Sequence, residues 1–278
     1  MIDSGVIVDE GTLARSVTAL TASSSRIGVV HHVPFALLED KKFGSQLEAA
    51  FLNTNHAKMY IAINTLGLES CVVGKSNLYR RPDIARVDGS LVPAQSRLRD
   101  GHKPAVCGLA AFGRLLAEDN AIASAVWHEL GLKHDLSCDV ARNVIGNMTF
   151  MDYVWRRVRW IRVRKHMVLA ATILEPFTES VVLCVTAALS FRKLFGISIW
   201  IFAIFHFIFW LTIDLDVYAS VGARRPEQMV HFIFFWLARE LLALPIFLIA
   251  VIGNNITWRG QRYKVLRNGE ARVLTEPS

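Results

Sequence analysis

Residues 156–166 read Arg-Arg-Val-Arg-Trp-Ile-Arg-Val-Arg-Lys-His and separate two parts of the chain that differ in composition. A helix through this stretch places Arg156, Arg159 and Trp160 at positions i, i+3 and i+4, on one face. Two guanidinium groups beside an indole suit a diphosphate, because Arg pairs bidentately with phosphate oxygens. The alternative interpretation is a basic segment that flanks a membrane span on its cytoplasmic side. We place Arg164 on the lipid-facing part of such a flank.

The composition of the 278-residue chain favours a membrane protein. The chain is 53% apolar with a net charge of +7, and a soluble domain rarely reaches its mean hydropathy of +0.34. Apolar residues concentrate after His166, while positive charge is densest at 156–166 and from Arg259 to Arg267. This is a juxtamembrane pattern, so no nucleic-acid partner is expected. Four scattered cysteines without a C-x-x-C pair indicate neither a zinc site nor a disulfide framework.

The first half of the chain predicts an α/β domain, a sheet with helices packed on it. The chain opens on what looks like the end of a buried strand, so we expect an upstream segment to be missing and the sheet to have an exposed apolar edge. Asp88-Gly89 and Pro93–Pro104 are predicted as loop. The predicted strands are Ile2–Gly5, Arg26–Val33 ending before Pro34, and Cys71–Gly74; the predicted helices are Gly11–Thr21, Phe43–Ile63, Val106–Leu116 and Ala121–Leu130 with Gly131 as C-cap.

Three apolar stretches follow His166, at about 168–189, 195–213 and 230–252. Each is long enough to cross a hydrocarbon core of ~30 Å at 1.5 Å per residue. The first and third stretches carry charges, which in lipid usually face a protein interior or a wet cavity. These charges are Glu175, Glu179, Arg239 and Glu240. Three full crossings would place the basic tail opposite the first half, against the positive-inside bias, so one stretch is expected to be re-entrant.

Two carboxylates in the first half could carry chemistry. Asp3 follows two apolar residues, and α/β folds place ligand-contacting groups at strand ends. A sugar-nucleotide enzyme would use Asp3 on a divalent metal or on sugar and ribose hydroxyls, whereas a turn-forming role is the structural alternative. Asp119 would either N-cap the helix that follows, without a complete capping box, or remove a proton from an acceptor hydroxyl as general base.

His31 and His32 lie in a predicted strand and therefore point to opposite faces. One is expected to be a core histidine and the other to line an acceptor pocket. The segment Gly74-Lys75-Ser76 is not predicted to be a phosphate-binding P-loop, because Glu69 stands where the first glycine of that loop belongs.

Six ordered segments span nearly the whole chain: Ile2-Asp3-Ser4-Gly5; Gly28–His31 with Pro34-Phe35; Ala117-Glu118-Asp119; Arg156–Trp160; Leu174-Glu175-Pro176; and Ile256–Arg259 with Arg262-Tyr263. Together they resemble the ceramide glucosyltransferases, membrane-bound inverting enzymes with a GT-A-type cytosolic domain. The resemblance places the family's second and third aspartates on Asp3 and Asp119, its R-x-x-R-W motif on residues 156–160, and an active-site histidine on His31. The family's N-terminal anchor and first nucleotide-binding half, with another aspartate, are not matched.

The resemblance implies transfer of glucose from UDP-glucose to the primary hydroxyl of ceramide, giving glucosylceramide with inversion. Asp119 would be the general base, and His31 and Trp160 would contact the acceptor. The diphosphate would be bound by Arg156, Arg159, Trp160 and Asp3, the last through a divalent metal, Mg²⁺ or Mn²⁺, where one is used. These residues are expected to converge on one cleft at the membrane-facing side. A multi-pass Golgi protein with its catalytic domain in the cytosol is also implied.

The predicted organisation is a partial GT-A-type domain over residues 1–166, a membrane region over 167–254 and a basic tail over 255–278. Two other functions stay open. A processive polysaccharide synthase shares this plan, but it usually carries Gln in place of Arg156 and needs a translocation channel. A non-catalytic scaffold or transporter would instead use the charges of the apolar stretches.

Overall fold

The computed structural model of the protein describes residues 1–22, 26–93, 96, 106–266 and 268–274. The chain forms two compact units. One comprises Met1–Leu37 and His56–Val144, and we call it the sheet unit; the other comprises Leu38–Asn55 and Ile145–Ser278, and we call it the helical unit. The predicted boundaries at residues 166 and 254 stay a prediction.

The sheet unit is built on four strands in the order β1-β4-β2-β3. They are β1 (Val6–Ile7), β2 (Ile27–Leu38), β3 (Asn77–Tyr79) and β4 (Lys133–Ile145). β1 runs antiparallel to β4, with Val6 opposite Asn143, and β3 runs antiparallel to β2, with Val30 opposite Leu78. β1 covers only two residues of β4, so in the described part of the chain most of the outer edge of β4 has no strand beside it.

Three strand predictions need correction. β2 does not stop before Pro34 but continues to Leu38, because β3 pairs only with Val29–His31 and the missing N–H of Pro34 interrupts no bond to it. The strand predicted at Cys71–Gly74 lies instead at Asn77–Tyr79, and the one predicted at Ile2–Gly5 is only an isolated bridge from Ile2 to Ser76. The long strand β4 was not predicted, although its sequence places Leu136, Cys138 and Val140 at every second position.

The helices of the sheet unit follow the sequence pattern more closely. α1 (Thr12–Thr21) and α5 (Glu118–Leu130) confirm two predicted helices, and Gly131 ends α5 in the left-handed conformation as expected. Between them lie α3 (Ala57–Leu66) and the short α4 (Arg81–Ile84). The helix predicted at Val106–Leu116 is only a 3₁₀ segment, Gly108–Phe112, which starts at a glycine with φ of +75°. Most of the loop predicted at Pro93–Pro104 lies outside the described residues.

The helix predicted at Phe43–Ile63 is a continuous helical run that changes type in the middle. It consists of α2 (Phe43–Phe51), a π-helical segment (Leu52–His56) and α3. A π segment inserts one extra residue into the helix and turns the faces that follow. The passage from the helical unit to the sheet unit falls inside this segment.

The helical unit is organised around α6 (Phe150–Met167), which contains the arginine stretch. A complete capping box starts α6: Thr149 accepts from the Asp152 N–H, and Asp152 accepts from the Thr149 N–H. α2, α6 and α10 (Met229–Ile252) pack against one another. After α10 a small antiparallel sheet forms from β5 (Asn255–Trp258), β6 (Gln261–Val265) and β7 (Ala271–Val273), in the part predicted only as a basic tail.

Two helices of the described chain are long and apolar enough to cross a membrane, α9 (Ile199–Gly222) and α10. The first predicted stretch is broken rather than continuous. α7 (Leu169–Leu174) continues into a 3₁₀ segment (Glu175–Thr178), and this segment meets α8 (Ser180–Phe195) at a bend of 59°. The chain has a third candidate span if this bent pair is counted as a single span. The break has a local cause, because Pro176 lacks an N–H and Glu179 is extended. Whether this pair is re-entrant stays a prediction.

The capping box generates a stability prediction. Thr149→Ala removes the side chain that accepts from the Asp152 N–H, and loss of such a cap typically costs about 1 kcal/mol. The variant should unfold at a lower temperature in detergent, with faster amide exchange in the first turn of α6. Thr186→Ala is the matched control, because Thr186 bonds only to carbonyls of its own helix. Equal midpoints for the two variants would contradict the assignment.

Candidate functional site

In the sheet unit, three consecutive residues before β3 contact three side chains from distant parts of the sequence. The Val73 N–H donates to Tyr60 Oη at 3.2 Å, and the Gly74 N–H donates to Asp119 Oδ2 in a short bond. Lys75 Nζ donates to Asp3 Oδ2 at 2.6 Å, and the Lys75 carbonyl accepts from the Asp3 N–H at 2.9 Å. This turn, which we call the 73–75 turn, therefore brings the two predicted carboxylates to one place.

Only glycine fits at the middle of the 73–75 turn. A Cβ on Gly74 would lie 2.6 Å from Asp119 Oδ2 and 2.9 Å from Asp119 Cβ, closer than such atoms normally approach. The Gly-Lys pair therefore holds Asp119 and Asp3 in position without being a P-loop. Sequence reasoning tested this segment only as a P-loop and missed its role as the support of Asp3 and Asp119.

Asp119 is not the N-cap of α5. The helix starts one residue earlier at Glu118, its N-cap is Ala117, and Asp119 occupies the first turn. Burial raises the pKa of Asp119, while hydrogen bonds from the N–H groups of Asn120 and Gly74 act in the opposite direction. Burial also raises the pKa of Glu118, and the negative charges of Asp119 and Asp3 add to this. A carboxylate whose pKa is raised towards neutrality is suited to take up a proton.

Asp3 is the accessible carboxylate of this group, with 43% of its side chain exposed. Mg²⁺ commonly takes only one or two protein carboxylates when substrate phosphates supply the other oxygens. Asp3, with the Glu118 charge near it, fits that sparse ligand set. Within the described ranges no three His, Cys, Asp or Glu side chains group into a metal centre. Metal binding by Asp3 stays a prediction. The alternative, that Asp3 accepts hydrogen bonds from sugar and ribose hydroxyls, also stays a prediction.

Both strand histidines are buried, so neither of them has an exposed ring that lines an open pocket in this structure. His31 is fully buried; its Nδ1 lies 2.6 Å from Tyr60 Oη, and its ring meets His134 edge-on with centroids 6.0 Å apart. His32 bonds to Ser16 Oγ and to the Ser76 carbonyl. Burial lowers the pKa of His31 to about 3 and the pKa of His134 to about 4. The acceptor-binding role of His31 stays a prediction.

In the helical unit, Arg156 and Trp160 lie together on α6 as the spacing predicts. The guanidinium carbon of Arg156 lies 5.2 Å from the centroid of the Trp160 ring. Arg156 Nε donates to Glu48 Oε1 of α2 at 2.8 Å, and Glu48 is completely buried. Because the bond uses Nε, the two terminal nitrogens of Arg156 stay available for a second anion. Glu48 was not among the predicted site residues; its signal is a single carboxylate in an otherwise apolar run of α2.

Arg159 is a cation of α6 for which the described part of the chain provides neither a hydrogen bond nor an ion pair. Burial lowers the pKa of Arg159 first, and the charges of Arg156 and Arg157 lower it further, while Glu48 acts in the opposite direction. A partly buried cation beside two others is stabilised by an incoming anion. The face formed by Arg156 and Arg159 can therefore bind a group with several negative oxygens.

Two other arginines of the stretch differ from the predicted pattern. Arg157 is buried, with its guanidinium 3.5 Å from the centroid of the Phe51 ring and 4.5 Å from that of Trp160. Arg164 does not stand free on a lipid-facing flank, because it forms an ion pair with Glu175. The predicted site residues divide between the units: Asp3, His31 and Asp119 belong to the sheet unit, and Arg156, Arg159 and Trp160 to the helical unit.

An α/β unit with a supported carboxylate pair, an arginine helix and apolar helices after it is the combination expected of a membrane glycosyltransferase. The model of glycosyl transferase family 21 matches residues 1–271, and the chain belongs to that family. It is 34% identical to a ceramide glucosyltransferase of Komagataella phaffii, over 95% of this chain and 64% of that protein. It is 32% identical to one of Candida albicans, over 84% and 50%, and 25% identical to ceramide glucosyltransferase 1 of Caenorhabditis elegans, over 95% and 52%. The chain thus spans about half to two thirds of the length of these relatives.

The close approach of Asp119 to Gly74 generates a second prediction. Gly74→Ala forces Asp119 away from the turn, and overpacking of this kind typically costs ~1–3 kcal/mol. The unfolding midpoint in detergent should fall. Gly146→Ala is the control, because a Cβ there meets no atom within 4 Å. A midpoint for Gly74→Ala as high as that of the control would exclude the steric argument.

The buried histidines generate a pH prediction. Above pH ~6.5 both imidazoles are neutral in the folded and the unfolded chain. Below it the unfolded chain takes up protons that the folded chain accepts only near pH 4 at His134 and pH 3 at His31. The free energy of unfolding should therefore fall as the pH is lowered from about 6.5 towards 3, by at most ~1.4 kcal/mol per pH unit for each histidine.

Thermal unfolding in detergent at pH 7.5, 6 and 5 measures this slope. His134→Asn should make the slope shallower, whatever it does to the midpoint at pH 7.5. A slope that is the same in His134→Asn as in the unsubstituted chain would contradict the prediction.

Proposed function

We propose that this protein transfers glucose from UDP-glucose to the primary hydroxyl of ceramide and forms glucosylceramide with inversion at the anomeric carbon. The family membership and the names of the relatives support this substrate pair. The hydroxyl oxygen would bond to the anomeric carbon as the bond to UDP breaks, and the proton would pass to a general base. Direct displacement of this kind converts the α-linked donor into a β-linked product.

The observation that carries the proposal is Arg159, which has no partner among the described residues and lies beside Arg156. Departure of UDP leaves negative charge on a diphosphate, and preorganised cations at that position lower the barrier. Arg156 has two terminal nitrogens that Glu48 does not use, and in the described chain the whole Arg159 fork is without a partner. We assign both to the diphosphate and Trp160 to the wall beside the acceptor.

Asp119 is assigned as the general base. Burial raises its pKa, and this direction makes the carboxylate a stronger base. The bond from Gly74 fixes one carboxylate oxygen and so orients the other. His31 is assigned to the acceptor side through its bond with Tyr60 rather than through an exposed ring.

Asp3 is assigned to the donor. A divalent metal, Mg²⁺ or Mn²⁺, held by Asp3 would supply positive charge to the diphosphate. Lys75 already supplies one positive charge at this carboxylate, 2.6 Å from Asp3 Oδ2. Asp3 can equally accept hydrogen bonds from the ribose or sugar hydroxyls.

The two other functions receive less support. The charges that a transporter would use are engaged with one another, since Arg239 pairs with Glu179 and Glu240, and Arg164 pairs with Glu175. A polysaccharide synthase is not favoured by the relatives described above, each of which is named a ceramide glucosyltransferase. We also propose a Golgi location with the sheet unit in the cytosol; the candidate spans support membrane residence.

The roles generate an ordering of three variants. Asp119→Asn should lower glucose transfer to ceramide by ~10²–10⁴-fold and leave UDP-glucose binding nearly intact, because the amide keeps its shape but takes up no proton. Arg159→Lys should also be severe, since a point charge cannot replace a bidentate fork. Arg192→Lys is the control, because Arg192 is an exposed residue at the end of α8.

The measurement is transfer of labelled glucose to ceramide in membranes that contain equal amounts of each variant. Equal transfer by Arg159→Lys and Arg192→Lys would end the diphosphate assignment. Label in a polymer would favour the polysaccharide synthase.

A further inference from the structure

A small cavity of about 30 Å³ lies inside the helical unit, among α2, α6, the Glu175–Thr178 segment and α10. Its lining contains both polar and apolar residues. The polar residues include Tyr153, Arg157, Glu179 and Arg239, and the apolar residues include Phe51, Ile161, Leu244 and Phe247. A lining of this mixed composition suits the junction between a polar headgroup and a hydrocarbon chain.

Two hydrogen-bond donors in this lining have no partner in the described chain. They are Arg157 Nη1 and Arg239 Nε, on side chains that are only 6% and 1% exposed. A buried donor without an acceptor typically costs ~1–3 kcal/mol, and more when it belongs to a charged group. Neither arginine is needed by the transfer chemistry assigned above. Because both arginines line the cavity, an acceptor bound inside it is the candidate partner of both nitrogens.

Charge excludes an anion as that acceptor. Arg239 is already paired with Glu179 at 3.3 Å and with Glu240 in a short contact. Glu48 faces Arg157 and acts against the lowering of its pKa by burial. A phosphate would add buried negative charge that no further cation in the described lining balances, and such charge is very costly. An uncharged oxygen, from an amide or a hydroxyl, satisfies both donors without this cost.

The volume of the cavity and the residues at its lining indicate which molecule supplies this uncharged oxygen. About 30 Å³ admits one or two oxygen-sized groups, which water could also fill. However, Pro176, Leu244 and Phe247 are partly exposed apolar members of the lining, and the last two lie on α10, a candidate membrane span. The lining therefore includes partly exposed apolar side chains of a helix that hydrocarbon would surround. A lipid can deliver an oxygen there and keep its chain against α10.

We propose that this cavity binds the uncharged headgroup of an amide- and hydroxyl-bearing lipid, with headgroup oxygens accepting from Arg157 Nη1 and Arg239 Nε. The lipid chain would lie along Leu244 and Phe247. The identification of that lipid as the acceptor rests on the proposed function, whereas the binding site itself does not. Arg157 would connect this lipid site to the proposed transfer site, because it also contacts the ring of Trp160.

Photolabelling tests the site without requiring turnover. A ceramide with a diazirine in the acyl chain, near the amide, is irradiated with membranes that contain the unsubstituted chain, in the absence of UDP-glucose. Labelled peptides should come from α10 around Leu244 and Phe247 and from the Glu175–Thr178 segment. Excess unlabelled ceramide should abolish the label, and the same excess of ceramide 1-phosphate should compete at least tenfold less well. Labelling elsewhere, no labelling, as expected for a cavity filled only by water, or equal competition by the phosphorylated lipid would overturn the proposal.

A matched pair of substitutions on α10 tests the cavity itself. Ala243→Leu places a larger side chain in the lining and should lower the labelling at least fivefold. Ala238→Leu makes the same change on the same helix at a residue outside the lining, and it should keep full labelling. Equal labelling of the two variants would overturn the proposal, and the label map of the unsubstituted chain decides the matter if Ala243→Leu does not fold.

The outcome is distinguishable from failure of the proposed function. Glucose transfer with no label in the cavity would leave the transferase assignment in place and remove the lipid site. Label in the cavity without glucose transfer would support the lipid site and remove the transferase assignment.

Discussion

The helical unit depends on how guanidinium groups that are partly or fully buried find carboxylates or carbonyl oxygens. α6 carries five arginines, and α2 and α10 pack against it with mostly apolar residues. A charge in such surroundings is tolerated only when it is paired and hydrogen-bonded. Glu48 of α2 forms an ion pair with Arg156, and Glu175 forms one with Arg164. Arg162 donates hydrogen bonds to carbonyls near the C-terminal end of α10. The positions of α2, α10 and the broken segment at Glu175 follow from these pairings as much as from apolar packing.

The sheet unit meets the opposite requirement, since its buried polar groups are mainly neutral. His31 and Tyr60 bond to each other, and Tyr60 also accepts from the Val73 N–H. Because burial keeps His31 uncharged at neutral pH, it costs little there, and through Tyr60 it connects β2 to the 73–75 turn. Gly74 of this turn bonds to Asp119 and Lys75 bonds to Asp3, so two carboxylates from distant parts of the sequence lie at one place.

Features within one element could be predicted from the sequence, whereas partners across elements could not. Periodicity and length indicate the helices at Thr12–Thr21 and Glu118–Leu130, the α/β class and the two long apolar helices, and spacing places Arg156 beside Trp160. The course of β2 through Pro34 depends instead on where β3 pairs, which is a tertiary fact. No local pattern says which buried carboxylate meets which arginine. Propensity likewise favours Asp119 as an N-cap, but its bond to the 73–75 turn draws the side chain away from that role.

Some of the departures from full polar satisfaction involve buried or partly buried charged groups, and these are the most informative ones. Within the described ranges Arg159 makes neither a hydrogen bond nor an ion pair, Asp119 is a buried carboxylate with a raised pKa, and Arg157 and Arg239 each keep an unpartnered donor. A buried donor without a partner costs on the order of 1–3 kcal/mol, and a folded domain is stable by only ~5–15 kcal/mol. Neighbouring arginines on the same helix do find partners, so the fold is able to supply them there. Local rules that fail at a few charged groups while holding around them indicate places where a ligand, and not the protein, completes the interaction.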